Sequence, residues 1–248
     1  MYPPFTPQHT VLGSRLSQAP VTVAVKYGDV DGDHVIDRVL LTGTKTPDSP
    51  LWQNITLLVQ NGRTHQYQQI AMKNNMGYNP TLFLGDLTGN RVDDILVEID
   101  TGGSGGGIYA YVFSNINGQI RPIFDSESFN EAYSYHVSYE NLYKVQVTSS
   151  RLRKKFILDL HYKGKEYLSE IYRPNGTLKE PIEGWVNPAS GLYPIDFNRD
   201  GSYELQAVQA IAGRYNADRL GYIQTTLKWN GRGFAPQDQN VAILGGNL

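Results

Sequence analysis

The dipeptide Asn-Gly recurs along the chain at nearly even intervals: Asn61-Gly62, Asn117-Gly118, Asn175-Gly176 and Asn230-Gly231, 56, 58 and 55 residues apart. Asn-Gly is a strong hairpin signal because both residues tolerate the positive φ of a tight two-residue turn. Strand-like runs precede the pairs at Ile55–Gln60, Ile108–Ser114, Phe156–Tyr172 and Tyr222–Trp229. They are rich in β-branched and aromatic residues and alternate in places, as at Tyr109, Tyr111 and Phe113, which is the period of a half-buried strand. The third run is long and broken at Lys163-Gly164-Lys165, which leaves room for a hairpin of its own.

Upstream of three of these pairs lies an acidic segment between two strand-like runs: Asp29–Asp37, Asp86–Asp94 and Asp196–Glu204. Where the third unit would carry it, Tyr139-Glu140-Asn141-Leu142-Tyr143 lacks the carboxylates, so that unit is expected to keep its strands without the loop. Units of four strands repeating in this way are the pattern of propeller blades, and one such unit cannot bury its own face without neighbours. The expected fold is therefore all-β, a single four-bladed β-propeller over residues 21–240 with little helix. Its units fall at about 21–73, 78–125, 130–178 and 190–240, with an N-terminal extension at 1–20 and a tail at 241–248. An open β-array or a barrel-like sandwich is the alternative.

The acidic segments carry oxygen donors on alternate residues, as a hard cation such as Ca²⁺ requires. In the first loop these are Asp29, Asp31, Asp33 and Asp37 at positions 1, 3, 5 and 9. The second offers Asp86, Thr88, Asn90 and Asp94, and the third Asp196, Asn198, Asp200 and Glu204. Val35, Val92 and Ser202 at position 7 would add backbone carbonyls. Gly32 allows the left-handed backbone of a curled loop, whereas Arg199 stands at the matching place in the third loop, with Gly201 following Asp200. Four carboxylates this close would repel one another without a cation. Turn chemistry alone also favours Asp, Asn and Gly, but three such loops at one place in a repeat point to metal. Ligand charge sets affinity, which predicts the order first loop, Asp196 loop, Asp86 loop.

These loops resemble FG-GAP/VCBS repeats, found in the calcium-bearing propeller of integrin α-subunits and in many bacterial surface proteins. The resemblance covers most of residues 21–240. The acidic loops match, but the Phe-Gly and Gly-Ala-Pro elements are absent, apart from Tyr27-Gly28 and Leu84-Gly85 at the first one's place. It implies calcium ligation by the loop residues named above. The chain is also similar to uncharacterised repeat proteins of spore-forming bacilli.

Other chemistries find little footing. There is no Cys, which excludes disulfides and thiol nucleophiles, and the formal net charge of −2 offers none of the general phosphate attraction that nucleic-acid binders use. No apolar run reaches the ~20 residues of a membrane span, and no signal-peptide pattern opens the sequence as given. Ser104 lies in Gly-Gly-Ser-Gly-Gly with no helix pattern after it, unlike a nucleophile elbow. The Gly-rich stretch 101–107 lacks the Lys and helix of a phosphate loop and reads as an inter-strand loop. Arg151, Arg153, Lys154 and Lys155 form the one basic cluster, and Tyr133, Tyr135 and Tyr139 share a strand face, expected to be core. The expectation is a non-enzymatic, calcium-binding surface or binding module, extracytoplasmic or on a spore or cell surface, with a protein or glycan ligand. The alternative is a polysaccharide lyase or glycosidase.

Overall fold

The computed structural model of the protein describes residues 19–245. The first two acidic loops each sit inside a four-stranded antiparallel meander. Sheet one runs β1 (Val21–Gly28), β2 (Asp37–Thr44), β3 (Gln53–Gln60) and β4 (Tyr67–Ile70), paired in chain order. Sheet two repeats the plan with β5 (Tyr78–Gly85), β6 (Asp94–Asp100), β7 (Ile108–Ile116) and β8 (Gln119–Asp125). A short helix, α1 (Ser126–Ala132), follows, and Asp125 caps it by accepting from the Ser128 amide at 2.8 Å. Such a cap satisfies an amide that the first helical turn leaves unpaired.

The remaining strands form one sheet of seven. They are β9 (Tyr135–Glu140), β10 (Lys144–Ser149), β11 (Lys154–Asp159), β12 (Glu183–Ile195), β13 (Glu204–Ala212), β14 (Arg219–Trp229) and β15 (Phe234–Ala242), in the order β11-β10-β9-β12-β13-β14-β15. The sheet is nearly closed and barrel-like. Its joint is β12. Glu183 and Gly184 pair with β9, Trp185 and Val186 pair with β13, and after two irregularities between Val186 and Gly191 the pairing with β13 runs on to Ile195. Bulges of this kind bend a strand and raise its twist. Gly184 belongs there because a Cβ would collide with the carbonyl of Ala212.

Three apolar cores fix the arrangement. Sheet two is covered on both faces. Ile95, Val97, Ile99 and Phe113 pack against Val39, Leu41, Ile55 and Leu57 of sheet one. Leu96, Ile108, Ala110 and Val112 pack against Leu192, Leu205, Ala207 and Leu227 of the seven-stranded sheet. A strand buried on both faces reads as a continuous apolar run, which is what β6 and β7 show. The third core lies within the seven-stranded sheet, where Val137, Val145, Val147 and Leu158 meet Ile211, Ile223 and the helix α2 (Gly164–Ile171).

The all-β expectation holds, but the four-unit plan does not hold in this form. Residues 130–178 make three strands, not four, and these merge with the fourth unit through β12 instead of standing between units two and four. The run Phe156–Tyr172 contains no hairpin: β11 is followed by a 3-10 turn at His161–Lys163 and by α2. Asn61-Gly62, Asn117-Gly118 and Asn230-Gly231 follow the third strand of a meander as expected, whereas Asn175-Gly176 lies after α2, where the Gly176 carbonyl accepts from Leu142 at 2.7 Å. The third unit lacks an acidic loop to hold its first two strands in the row. Residues 1–18 of the expected extension and 246–248 of the tail lie outside the described residues, and β15 takes up residues 241 and 242.

Candidate metal centre

The three acidic loops join the first and second strands of their meanders, β1 to β2, β5 to β6 and β12 to β13. All three fold the same way. The carboxylate at position 9 accepts from the amide at position 2: Val30 to Asp37 at 2.9 Å, Leu87 to Asp94 at 2.8 Å, Phe197 to Glu204 at 3.4 Å. The carboxylate at position 1 accepts from the amide at position 6, His34 to Asp29, Arg91 to Asp86 and Gly201 to Asp196. The side chain at position 5 accepts from position 7, with Val35 on Asp33, Val92 on Asn90 and Ser202 on Asp200. Positions 4 and 6 are left-handed in every loop, at φ 82 and 63, 75 and 66, and 61 and 89. Each loop has Gly at one of them and a larger residue at the other, so Arg199 for Gly is offset by Gly201.

The loops also stand in a row. The Asp29 carbonyl accepts from the Asp93 amide at 2.9 Å, and the Asp86 carbonyl from Tyr203 at 2.7 Å. In both links position 1 of one loop meets position 8 of the next.

What the side chains converge on differs from loop to loop. In the first, carboxylate oxygens of Asp29, Asp31 and Asp37 lie within 4.8 Å of one another, beside a cleft of about 240 Å³ lined by Asp31, Asp37 and Asn61. Each oxygen already accepts one hydrogen bond: Asp29 from Gly32 and His34, Asp31 from Asp33 and Asn61, Asp37 from Val30 and Gly62. Burial raises the pKa of Asp31, as do the charges of Asp37, Asp33 and Asp29, against the Asp33 amide that lowers it. Asp33 turns away to Arg63, whose Nε lies 2.7 Å from its carboxylate and holds its pKa below the usual range.

In the second loop Asp86 spends its oxygens on loop amides. Thr88 Oγ1 and Asp94 Oδ1 are buried without a hydrogen bond of good geometry, and burial raises the Asp94 pKa against the Ser114 and Thr88 hydroxyls and the Leu87 amide, which lower it. Burial and the charges of Asp29 and Asp86 also raise that of Asp93. In the third loop the buried Glu204 meets Lys228 Nζ at 2.8 Å. Asp200 accepts from the Ser202 hydroxyl and amide and from Asn198, which hold its pKa at about 2. Among the described residues only the first loop gathers three carboxylates. The donor chemistry of that loop fits a hard cation. The two buried oxygens of the second fit one in part. In the third, a lysine ammonium stands where a cation would.

Other expected features fall as follows. Tyr133 and Tyr139 are core, with Tyr133 just beyond α1. The stretch 101–107 is the β6–β7 loop, closed by Thr101 on the Gly107 carbonyl, and Ser104 accepts from Asn216 at 3.0 Å. One constellation carries no sequence signal. Asp218, with its side chain 1 % exposed, accepts from Lys163 at 2.8 Å, Tyr167 at 2.8 Å, Tyr139 at 3.2 Å and the Arg214 amide at 3.0 Å. Burial raises its pKa, but Lys163 and these hydrogen bonds outweigh that and hold it low. Its partners are scattered from residue 139 to residue 214, so no spacing rule finds them. The group ties α2 and β9 to the turn before β14 and faces inward.

These observations define a class: an all-β protein of antiparallel sheets whose acidic inter-strand loops link into a row. A family model described as the YybI C-terminal domain matches residues 133–242, a span that encloses β9 to β15. The chain is also 61 % identical over 241 residues, 97 % of its own length and 92 % of the relative's, to the uncharacterised protein YybI of Bacillus subtilis (strain 168). The chain belongs to the YybI family. The likeness to a protein of a spore-forming bacillus is thereby shown. No solved structure matches.

Proposed function

We propose that the chain is a non-enzymatic binding or structural module held in shape by Ca²⁺ in its first acidic loop, working outside the cytoplasm or on a spore or cell surface. The observation that carries this reading is the convergence of Asp29, Asp31 and Asp37 with no lysine or arginine among their contacts. In this reading the acidic-loop sheets are the blades of a propeller-like stack of the FG-GAP/VCBS kind. Calcium would pin position 1 to position 9 and so brace the Asp29 carbonyl that receives sheet two. The Lys228–Glu204 pair reverses the order expected from charge alone, and the Asp86 loop with its two buried oxygens becomes the second site. An extracytoplasmic setting is part of this reading, since extracellular-type sites with Kd ~10⁻⁴–10⁻³ M fill outside a cell and not in resting cytosol.

The test is a thermal melt with calcium, with magnesium and after chelation. A ligand at a hundredfold excess over Kd adds about 2.7 kcal/mol, roughly 5–10 °C for a chain of this size. Calcium is expected to raise Tm well above magnesium. Asp31→Asn should abolish the shift while melting no lower than wild type in chelator, since Asp31 is destabilised by its neighbours. An equal calcium shift in that variant, or none in wild type, rejects the reading.

A further inference from the structure

A cleft lies at the seam between sheet two and the seven-stranded sheet, sharing Ile116, Ile123 and Trp229 with the hollow beside Thr88 and Asn90 of the second acidic loop. It measures about 630 Å³ and is bounded by β8, α1 and the β14–β15 turn, within the 300–1,000 Å³ usual for ligand sites. Its wall is aromatic. Phe234 stands edge-on to Phe124 at 5.8 Å and to Trp229 at 5.4 Å. Arg151, from the β10–β11 turn, lies 4.9 Å over the ring of Tyr133, and Arg232 lines the opposite turn.

Two facts make this more than a packing fault. The Tyr133 hydroxyl is buried in a residue only 4 % exposed, makes no hydrogen bond of good geometry, and has Arg151 as its polar neighbour. Burial raises its pKa, against the hydrogen bond and charge of Arg151 that lower it. Arg151 and Arg232 are exposed, and neither has an ion pair among the described residues. The one acid on the lining, Asp125, is spent on the amide and hydroxyl of Ser128. The site thus offers aromatic rings and two guanidiniums without ion-pair partners, which favour planar bidentate carboxylates.

We infer that this cleft binds an acidic saccharide, with a sugar ring against Trp229 and Phe234 and its carboxylate between Arg151 and Arg232. An open cleft with both arginines at the surface suits a chain passing across it. A small aryl acid would call for an enclosed apolar pocket. The inference rests on the reading of the chain as a binding module, but not on its metal.

The probe is a tetrasaccharide alternating glucuronic acid and N-acetylglucosamine, titrated calorimetrically into the full chain in calcium and in chelator. Binding is expected, at least tenfold tighter than an uncharged N-acetylglucosamine tetrasaccharide and than benzoate. Arg151→Gln and Arg232→Gln, both at exposed positions and checked by unchanged melts, should each weaken it at least fivefold, and Trp229→Ala more. Failure of the acidic probe to bind, equal binding of the neutral one, or full affinity in the Arg151→Gln/Arg232→Gln double variant overturns the inference. A calcium melt that shows no shift alongside acidic-probe binding sinks the metal reading alone. A normal calcium shift without probe binding sinks this one alone.

Discussion

Position 9 of the acidic loops shows how a single residue choice sets the electrostatics of a whole connection. Asp37, Asp94 and Glu204 are all almost fully buried, and each takes the amide of position 2. A buried carboxylate is tolerable only when paired or fully hydrogen-bonded. Asp37 meets this with two amides, whereas Glu204 meets it with Lys228. Removing one partner of such a pair leaves a buried charge. Lys228→Met is therefore expected to lower stability in chemical denaturation, by less than the loss of a fully buried pair because the lysine is half exposed. Adding Glu204→Gln should recover most of that loss. A double variant no more stable than Lys228→Met would show that the two side chains are not coupled.

At the level of the element, β6 carries a carboxylate where its periodicity calls for an apolar residue. Glu98 shares the face of Leu96, toward β12, and burial raises its pKa to about 7, with the Leu192 amide opposing and Asp100 adding to the rise. A carboxyl whose folded pKa exceeds its unfolded value makes the folded state bind more protons between the two values. Stability from this group is full below about pH 4.5 and is lost as pH rises toward about 7. The gap between about 4.5 and about 7 corresponds to roughly 3 kcal/mol. Glu98→Gln should remove that slope, so that the variant is the more stable of the two at pH 8 and the difference vanishes near pH 4. Parallel stability curves across pH 4–8 would refute the assignment.

On the scale of the molecule, sheet two is the keystone, since its two faces supply half of two separate cores. Neither sheet one nor the seven-stranded sheet keeps its apolar face covered without it, which couples their stabilities. Tryptophan fluorescence and far-UV dichroism are expected to report one coincident unfolding transition. Leu205, 0 % exposed at the sheet-two interface, should cost about 2–5 kcal/mol when cut to alanine, as buried Leu→Ala changes do. That change should shift both probes together. Separate midpoints, with only one moved by Leu205→Ala, would mean that the sheets unfold independently.

The legible parts of this chain are those governed by near neighbours. Asp at position 1 with Asx at position 5 spells a curled loop because these side chains take amides two to five residues away, and the three loops accordingly came out alike down to their φ signs at positions 4 and 6. Asn-Gly marks a hairpin for the same local reason, and alternation marks the strands. The illegible parts depend on partners far along the chain. Nothing in Asn175-Gly176 says that the preceding run ends in a helix, because only packing of Leu168 and Ile171 against the third core pays for that turn of chain. Nothing within Asp33 or Glu204 says that Arg63 and Lys228, 30 and 24 residues away, will claim them. The acidic loops were thus set by the sequence alone. Which of them gathers its carboxylates, the fusion of the last two units through β12, and the aromatic cleft were decided only when the sheets packed, since burial and charge pairing act through space and not along the chain.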